Sequence, residues 1–423
     1  MQNIKTNKLF VASCLSLLVT SLSFGIRAGI MGQLGTDFNL NASELSTITA
    51  TAFWGFPLAV VIGGFIVDLI GMKRLLVMAF IFHLLGIVLT IFAQGYWTLF
   101  FSTLLIGIAN GTVEASCNPL VTALYPQNKT TRLNYFHLWF PGGIVLGSLL
   151  VLLFNHLGLN WQIQVGVMFI PTLIYGYLFS KLDFPVTERV AAGFTTADMY
   201  KGVLSPLYLF MLVCMFGTAI TELFTNQWTG ILFKTVTDNA LLILTFVATI
   251  QVICRAFAGP IVHRLAPQGV LLISAILSAL GIFLLVTLQG EAIFFAAVVF
   301  GLGVAFFWPC MIGFVAENVP QSGALGINLL GGGGMLAVSF YTIFMGGFYD
   351  NHTLQHLSKG ISLSDYQKAA AGTPMANELA HAQSLAGFDV LHTTLVLPIV
   401  LIVAFGGLVF YMNGKRKKAA IAN

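Results

Sequence analysis

The sequence predicts an all-α integral membrane protein whose twelve transmembrane helices form two six-helix repeats. Composition, apolar runs of spanning length and matched positions about 195 residues apart carry that prediction. Of 423 residues, 57% are hydrophobic and 8% charged, whereas soluble domains carry about 25% charged residues. A net charge of +4, spread along the chain, is too weak for a nucleic-acid footprint, and no basic stretch alternates with aromatics. Cys14, Cys117, Cys214, Cys254 and Cys310 lie far apart within apolar runs without CxxC spacing, so they read as small buried side chains, with neither a metal site nor a disulfide framework.

About 20 apolar residues are needed to cross about 30 Å of hydrocarbon as a helix. Twelve segments qualify: 9–32, 45–67, 75–95, 97–124, 134–155, 161–180, 205–233, 239–262, 269–288, 291–316, 325–347 and 389–412. Short turns separate them except at 181–204 and 348–388. Span 1 reads as an uncleaved helix, because its apolar run continues well past the lipoprotein-like Val11-Ala12-Ser13-Cys14. Positive charge sets the orientation. With the N-terminus inside, fourteen of nineteen Lys and Arg are cytoplasmic (Lys5, Lys8, Lys73, Arg74, Lys129, Arg132, Lys181, Arg189, Lys201, Arg264, Lys415, Arg416, Lys417 and Lys418). Three are external (Lys234, Lys359, Lys368), and Arg27 and Arg255 lie within spans. The expected organisation is an N-terminal half over 1–180, a cytoplasmic linker over 181–204, and a C-terminal half over 205–423 with an external loop over 348–388. Both termini are expected in the cytoplasm, and the membrane to be a bacterial inner membrane.

Shifting the first half by about 195 positions brings Gly64-x-x-x-Asp68 onto Gly259-x-x-x-His263, and Pro126 and Asn134 to within a residue of Pro320 and Asn328. Arg27 of span 1 falls on Glu222 of span 7. Together with the helix count, this favours a duplicated six-helix unit.

The turn after span 2 reads Gly64-Phe65-Ile66-Val67-Asp68-Leu69-Ile70-Gly71-Met72-Lys73-Arg74. It resembles the G-x-x-x-D-[RK]-x-G-x-[RK]-[RK] motif of the major facilitator superfamily, with Leu69 at the usual basic position. Two glycines permit a tight turn and close helix approach, while Asp68 can bind cations across the cytoplasmic mouth. The resemblance implies the major facilitator fold, with spans 1, 4, 7 and 10 lining a central cavity.

Span 4 carries Gly107-Ile108-Ala109-Asn110-Gly111-Thr112-Val113-Glu114-Ala115-Ser116-Cys117-Asn118-Pro119, followed by Arg132-Leu133-Asn134. With Gly301-Leu302-Gly303 and Phe307-Trp308-Pro309 of span 10, it is similar to the fucose:proton symporter family, which carries neutral monosaccharides with protons. That family's span-1 carboxylate has no counterpart in Phe24-Gly25-Ile26-Arg27-Ala28-Gly29.

Charges inside a bilayer are costly and usually face a partner or an aqueous cavity. Glu114 is read as the proton-coupling carboxylate, against an internally satisfied structural acid, and Glu222 as a second. At about 1.5 Å per residue, Arg27 and Glu222 come out at similar depth, so they are expected to pair, either as a gate or as a fixed ion pair. Arg255, near the cytoplasmic end of span 8, can snorkel to that face and is read as structural against a functional role, and His137 as a satisfied histidine or a substrate contact. The substrate-binding candidates are Arg27, Asn118, Asn134, His137, Glu222, Asn226, Gln227, Trp228, Trp308 and Asn328, with Gln251 as a further amide. Amides and carboxylates pair with hydroxyls while indoles stack on the apolar face of a sugar ring, although the aromatic residues could equally be packing.

Gly331-Gly332-Gly333-Gly334 lacks a preceding strand and GK[ST], so it is no phosphate loop. Asn351-His352-Thr353 is a glycosylation sequon only in a eukaryotic secretory setting. No HExxH, GxSxG or Walker A pattern supports an enzyme or an ATP-driven pump. The expected function is import of a neutral monosaccharide or sugar derivative by proton symport, with no cofactor, by a monomer whose partners are substrate, protons and lipid. The alternative is transport of an organic anion or drug-like compound anchored by Arg27.

Overall fold

The computed structural model describes residues 4–40, 42–226, 240–358, 365–366, 369 and 372–422. Eleven of its helices are long and apolar enough to cross a membrane, and Thr245–Ala256 is a shorter apolar helix. There is no strand among the described residues. The fold is the twelve-helix, two-repeat architecture expected from the sequence.

Spans 1 to 4 are the helices Thr6–Asp37, Ala42–Ile70, Met72–Ile91 and Tyr96–Leu124. Span 5 runs as Lys129–His137 and Trp139–His156, and span 6 as Trp161–Gly166 and Phe169–Lys181. Span 7 is Pro206–Ala219 continued by a π-helical turn over Ile220–Phe224. Ala240–Ala256 and Ala258–Thr287 make spans 8 and 9, with the chain bending at Ala266. Span 10 comprises Ala292–Val304 and Phe307–Asn318. Span 11 is Gly323–Gln355, and a helix over Pro374–Thr394 leads into Val396–Ala422 of span 12.

The repeat is visible in the backbone. Gly71, after span 2, has φ +87°, and Ala266, 195 positions later and after span 8, has φ +56° and ψ 161°. Likewise, a Cβ on Gly86 would collide with Ile106 of span 4, and one on Gly281, again 195 positions on, with Phe300 of span 10. Glycine adopts positive φ freely, but alanine there is strained by roughly 1–3 kcal/mol. Ala266→Gly should therefore raise stability by about 1 kcal/mol after allowing for glycine's greater unfolded freedom, read as an upward shift of the melting temperature in detergent. An unchanged or lower melting temperature would argue against strain at this turn.

Prolines organise the contacts between the repeats. A proline lacks the N–H that would bond the carbonyl four residues back, and in hydrocarbon such a carbonyl must find another donor. Pro119 frees Ala115 O, which accepts from Asn328 Nδ2 of span 11 at 2.9 Å. Pro141 frees His137 O, which accepts from Arg255 Nη1 of span 8 at 2.7 Å. Closer to the basic end, Lys129 Nζ donates to Ala316 O at 3.0 Å, and Thr130 Oγ1 donates to Glu317 Oε1 at 2.6 Å. These bonds join the repeats from the Lys- and Arg-rich end up to about mid-depth.

The span 2–3 motif belongs to the same closure. Asp68 accepts from Thr187 Oγ1 at 2.5 Å and from Arg189 Nε at 2.6 Å, so its cation comes from the stretch after span 6 and not from the second repeat. Lys73 Nζ donates to Leu182 O at 2.9 Å, while Arg74 is exposed. A Cβ on Gly64 would press on Asn328, which explains the glycine at this crossing of spans 2 and 11.

Candidate functional site

Beyond the joined end, a cavity of about 300 Å³ lies between the repeats, within the size range of small-molecule sites. Spans 1, 4, 7 and 10 contribute Arg27, Glu114, Glu222, Asn226 and Trp308 to its wall, and spans 2, 5, 8 and 11 complete it. One side is aromatic: the ring of Phe24 lies 5.6 Å from that of Phe53 and 5.8 Å from that of Phe140.

The polar floor contains two carboxylates in different settings. Glu114 and Asn118 are one helical turn apart, and Asn118 Nδ2 donates to Glu114 Oε2 at 2.6 Å. That orientation leaves Asn118 Oδ1 as acceptor for His137 Nε2, 2.9 Å away, while His137 Nδ1 stands 3.8 Å from Glu114 Oε1. With Nε2 committed as a donor, one proton is available to be held by either Nδ1 or the carboxyl. No Lys or Arg pairs with Glu114 among the described residues.

Glu222 is paired. Arg255 Nη2 donates to Glu222 Oε1 at 3.1 Å, Nη1 to His137 O at 2.7 Å, and Nε to Ala305 O at 2.6 Å. The last carbonyl lies four residues before Pro309, so two proline-freed carbonyls on different spans receive one guanidinium. Both side chains are buried.

This corrects two expectations. Glu222 pairs with Arg255 and not with Arg27, and Arg255 does not snorkel. Span 8 continues past residue 262 to the bend at Ala266, which sets Arg255 about 15 Å into the helix, and Glu222 lies in the π-helical turn Ile220–Phe224, where span 7 departs from straight α-helical geometry. Arg27 is half-buried, its guanidinium carbon 6.0 Å from the centroid of Phe24, and makes no ion pair among the described residues.

Glu114, Glu222, Arg27, His137, Asn226, Trp308 and Gln251 all line the cavity. Asn118 lies just below it, bonded to Glu114 and His137. Asn134 and Asn328 do not line it: Asn134 Nδ2 donates to Thr130 O at 2.9 Å, and Asn328 is committed to Ala115 O. Gln227 and Trp228 lie outside the described residues. Gln251 Nε2 is buried without a hydrogen bond among the described residues. Sequence reasoning weighs Arg255 for its charge within an apolar span but favours a structural role over a place at the site. It missed Phe24, Phe53 and Phe140, for which 37 phenylalanines offer no discriminating signal.

Two six-helix repeats around a central cavity that mixes aromatic, amide and charged side chains have the architecture of a membrane transporter. Residues 13–248, more than half the chain, match the family model for the Major Facilitator Superfamily, and the chain belongs to that superfamily. Myo-inositol transporter 1 of Candida albicans is 25% identical over 197 residues, covering 44% of this chain and 34% of that protein. Protein TsgA homolog of Buchnera aphidicola subsp. Schizaphis graminum is 27% identical over 191 residues, covering 45% and 49%. The chain thus spans about a third to a half of these relatives' length. The crystal structure of the Escherichia coli fucose:proton symporter FucP aligns with a TM-score of 0.68 at 14% identity, covering 93% of this chain and 98% of that one.

Proposed function

We propose that the chain imports a neutral monosaccharide or close polyol derivative by proton symport. On this reading residues 1–180 and 205–423 rock about the cavity, tied by the cytoplasmic linker 181–204, with both termini in the cytoplasm of a bacterial inner membrane. The carrying observation is the composition of the cavity wall: the aromatic side chains Phe24, Phe53, Phe140 and Trp308 share one lining with carboxylate, amide and guanidinium groups. Hydroxyls of a sugar suit the polar groups and its C–H face suits the rings. The names of the myo-inositol and fucose relatives support the same substrate class. Glu114 would carry the proton, shared with His137, and Glu222 would act with Arg255 as the charge pair that responds to the cycle.

Substrate contacts at Trp308 and Asn226 have a measurable consequence. Trp308→Ala and Asn226→Ala should each weaken binding of the preferred monosaccharide about fivefold to tenfold, measured by equilibrium binding to folded protein. If both variants melt earlier but bind as tightly as the parent, the two residues pack and do not recognise.

Arg27 motivates a second reading. A guanidinium facing the cavity without an ion pair among the described residues could anchor a carboxylate or phosphate. An organic anion whose binding disappears in Arg27→Gln, with neutral sugars failing to bind the parent, would favour this reading over the first.

A further inference from the structure

A second cavity, of about 690 Å³, lies at the basic end against spans 5, 8, 9, 10 and 12. Its wall includes Asn128 and Arg132 of the first repeat and His263, Arg264, Gln268 and Asn413 of the second. We propose that this cavity binds the phosphate-bearing headgroup of an anionic membrane lipid, bridging the two repeats.

The pseudo-symmetry of the fold supplies the argument. On one side, the seam between spans 2 and 11 is filled from within the chain: Thr187 and Arg189 lie on Asp68, and a Cβ on Gly323, which opens span 11, would meet the Arg189 side chain. There an acidic scaffold position receives a basic filler. The equivalent seam, between spans 8 and 5, is not filled by a linker among the described residues and remains a cavity. At the position equivalent to Asp68 it presents His263, next to Arg264, so its charge is inverted and its complementary filler is an anion.

The wall chemistry fits a phosphodiester. Arg132 is held with its guanidinium carbon 4.4 Å from the Tyr125 ring centroid and 5.9 Å from that of Tyr135. Arg264 is exposed and makes no ion pair among the described residues. Glu317, the acid of the described wall, has Oε1 occupied by Thr130 N at 3.1 Å and Thr130 Oγ1 at 2.6 Å. Beyond Asn413 the sequence continues into Lys415-Arg416-Lys417-Lys418, and basic clusters next to a spanning helix attract anionic lipids. The lipid is preferred to free phosphate because the wall also includes Val409 of span 12, beside the exposed Phe410 and Tyr411, an apolar helix face along which acyl chains can lie. The inner leaflet as its source rests on the cytoplasmic orientation proposed above.

The test titrates the full chain, purified in neutral detergent, with short-chain phosphatidylglycerol, phosphatidylcholine of the same chain length, and inorganic phosphate, reading melting temperature. Phosphatidylglycerol should give a saturable rise that the other two lack. Arg264→Gln and Arg132→Gln should each weaken its apparent affinity about fivefold, and Arg264→Lys should retain it. Asn413→Asp, which adds a negative charge without removing an arginine, should weaken it too and covers the case in which an arginine variant fails to fold. Equal rises with phosphatidylcholine, a phosphate response matching that of phosphatidylglycerol, or parental titration of the arginine variants would overturn the proposal. No substrate is present, so such a failure leaves the transport reading intact.

Discussion

Glu114→Gln is expected to abolish uphill accumulation of substrate while leaving exchange down a gradient. The amide keeps the side chain's size and can still accept from Asn118 Nδ2, which reaches Glu114 Oε2 at 2.6 Å in the parent. What it loses is the ability to bind and release a proton. If the carboxyl and His137 share one proton, only the acid at position 114 couples its movement to substrate binding. Accumulation should fall to the level of equilibration, a loss of the whole driving force rather than a change in affinity. A Gln variant that still concentrates substrate would remove Glu114 from the coupling step.

The second large effect is expected at Arg255. Its guanidinium serves Glu222, His137 O and Ala305 O together, so Arg255→Gln leaves a buried carboxylate without its cation and two proline-freed carbonyls short of a donor. Breaking one partner of a buried pair costs about 3–5 kcal/mol, enough to lower the melting temperature markedly and to loosen the contact between spans 5 and 8. Glu222→Gln combined with Arg255→Gln should recover part of that loss, because no uncompensated charge remains. A double-mutant cycle on melting temperature and transport separates the cases. Strict additivity in both would mean that the two residues act independently.

Much of the architecture was legible because the bilayer imposes a length and polarity rule on every span. The twelve runs, the motif around Asp68 and the 195-residue offset were all present in the residue string, and the structure extends that offset to backbone angles at Gly71 and Ala266. Site residues followed less completely. Glu114, Arg27, Glu222 and Trp308 reach the cavity because spans 1, 4, 7 and 10 face it. Arg255 is hard to place from sequence because the helix of span 8 runs past its apolar run to the bend at Ala266, and a few residues of helix decide whether a long cation reaches water or the core. Pro119, Pro141 and Pro309 were plain in the sequence, but the donors that answer their freed carbonyls come from other spans, and no local pattern names them. Asn134 and Asn328 are the converse case: polar residues within spans that serve helix contacts, not the cavity.

The measurement closest to the central claim is uptake of labelled neutral monosaccharides into proteoliposomes of the full chain, with an imposed pH gradient and a sodium gradient applied separately. Proton-coupled sugar import predicts accumulation of at least one monosaccharide above its external concentration when the outside is acid, its loss on collapse of the pH gradient, and no response to sodium alone. Failure of every neutral sugar to accumulate under the pH gradient, with an organic anion accumulating in its place, would contradict it.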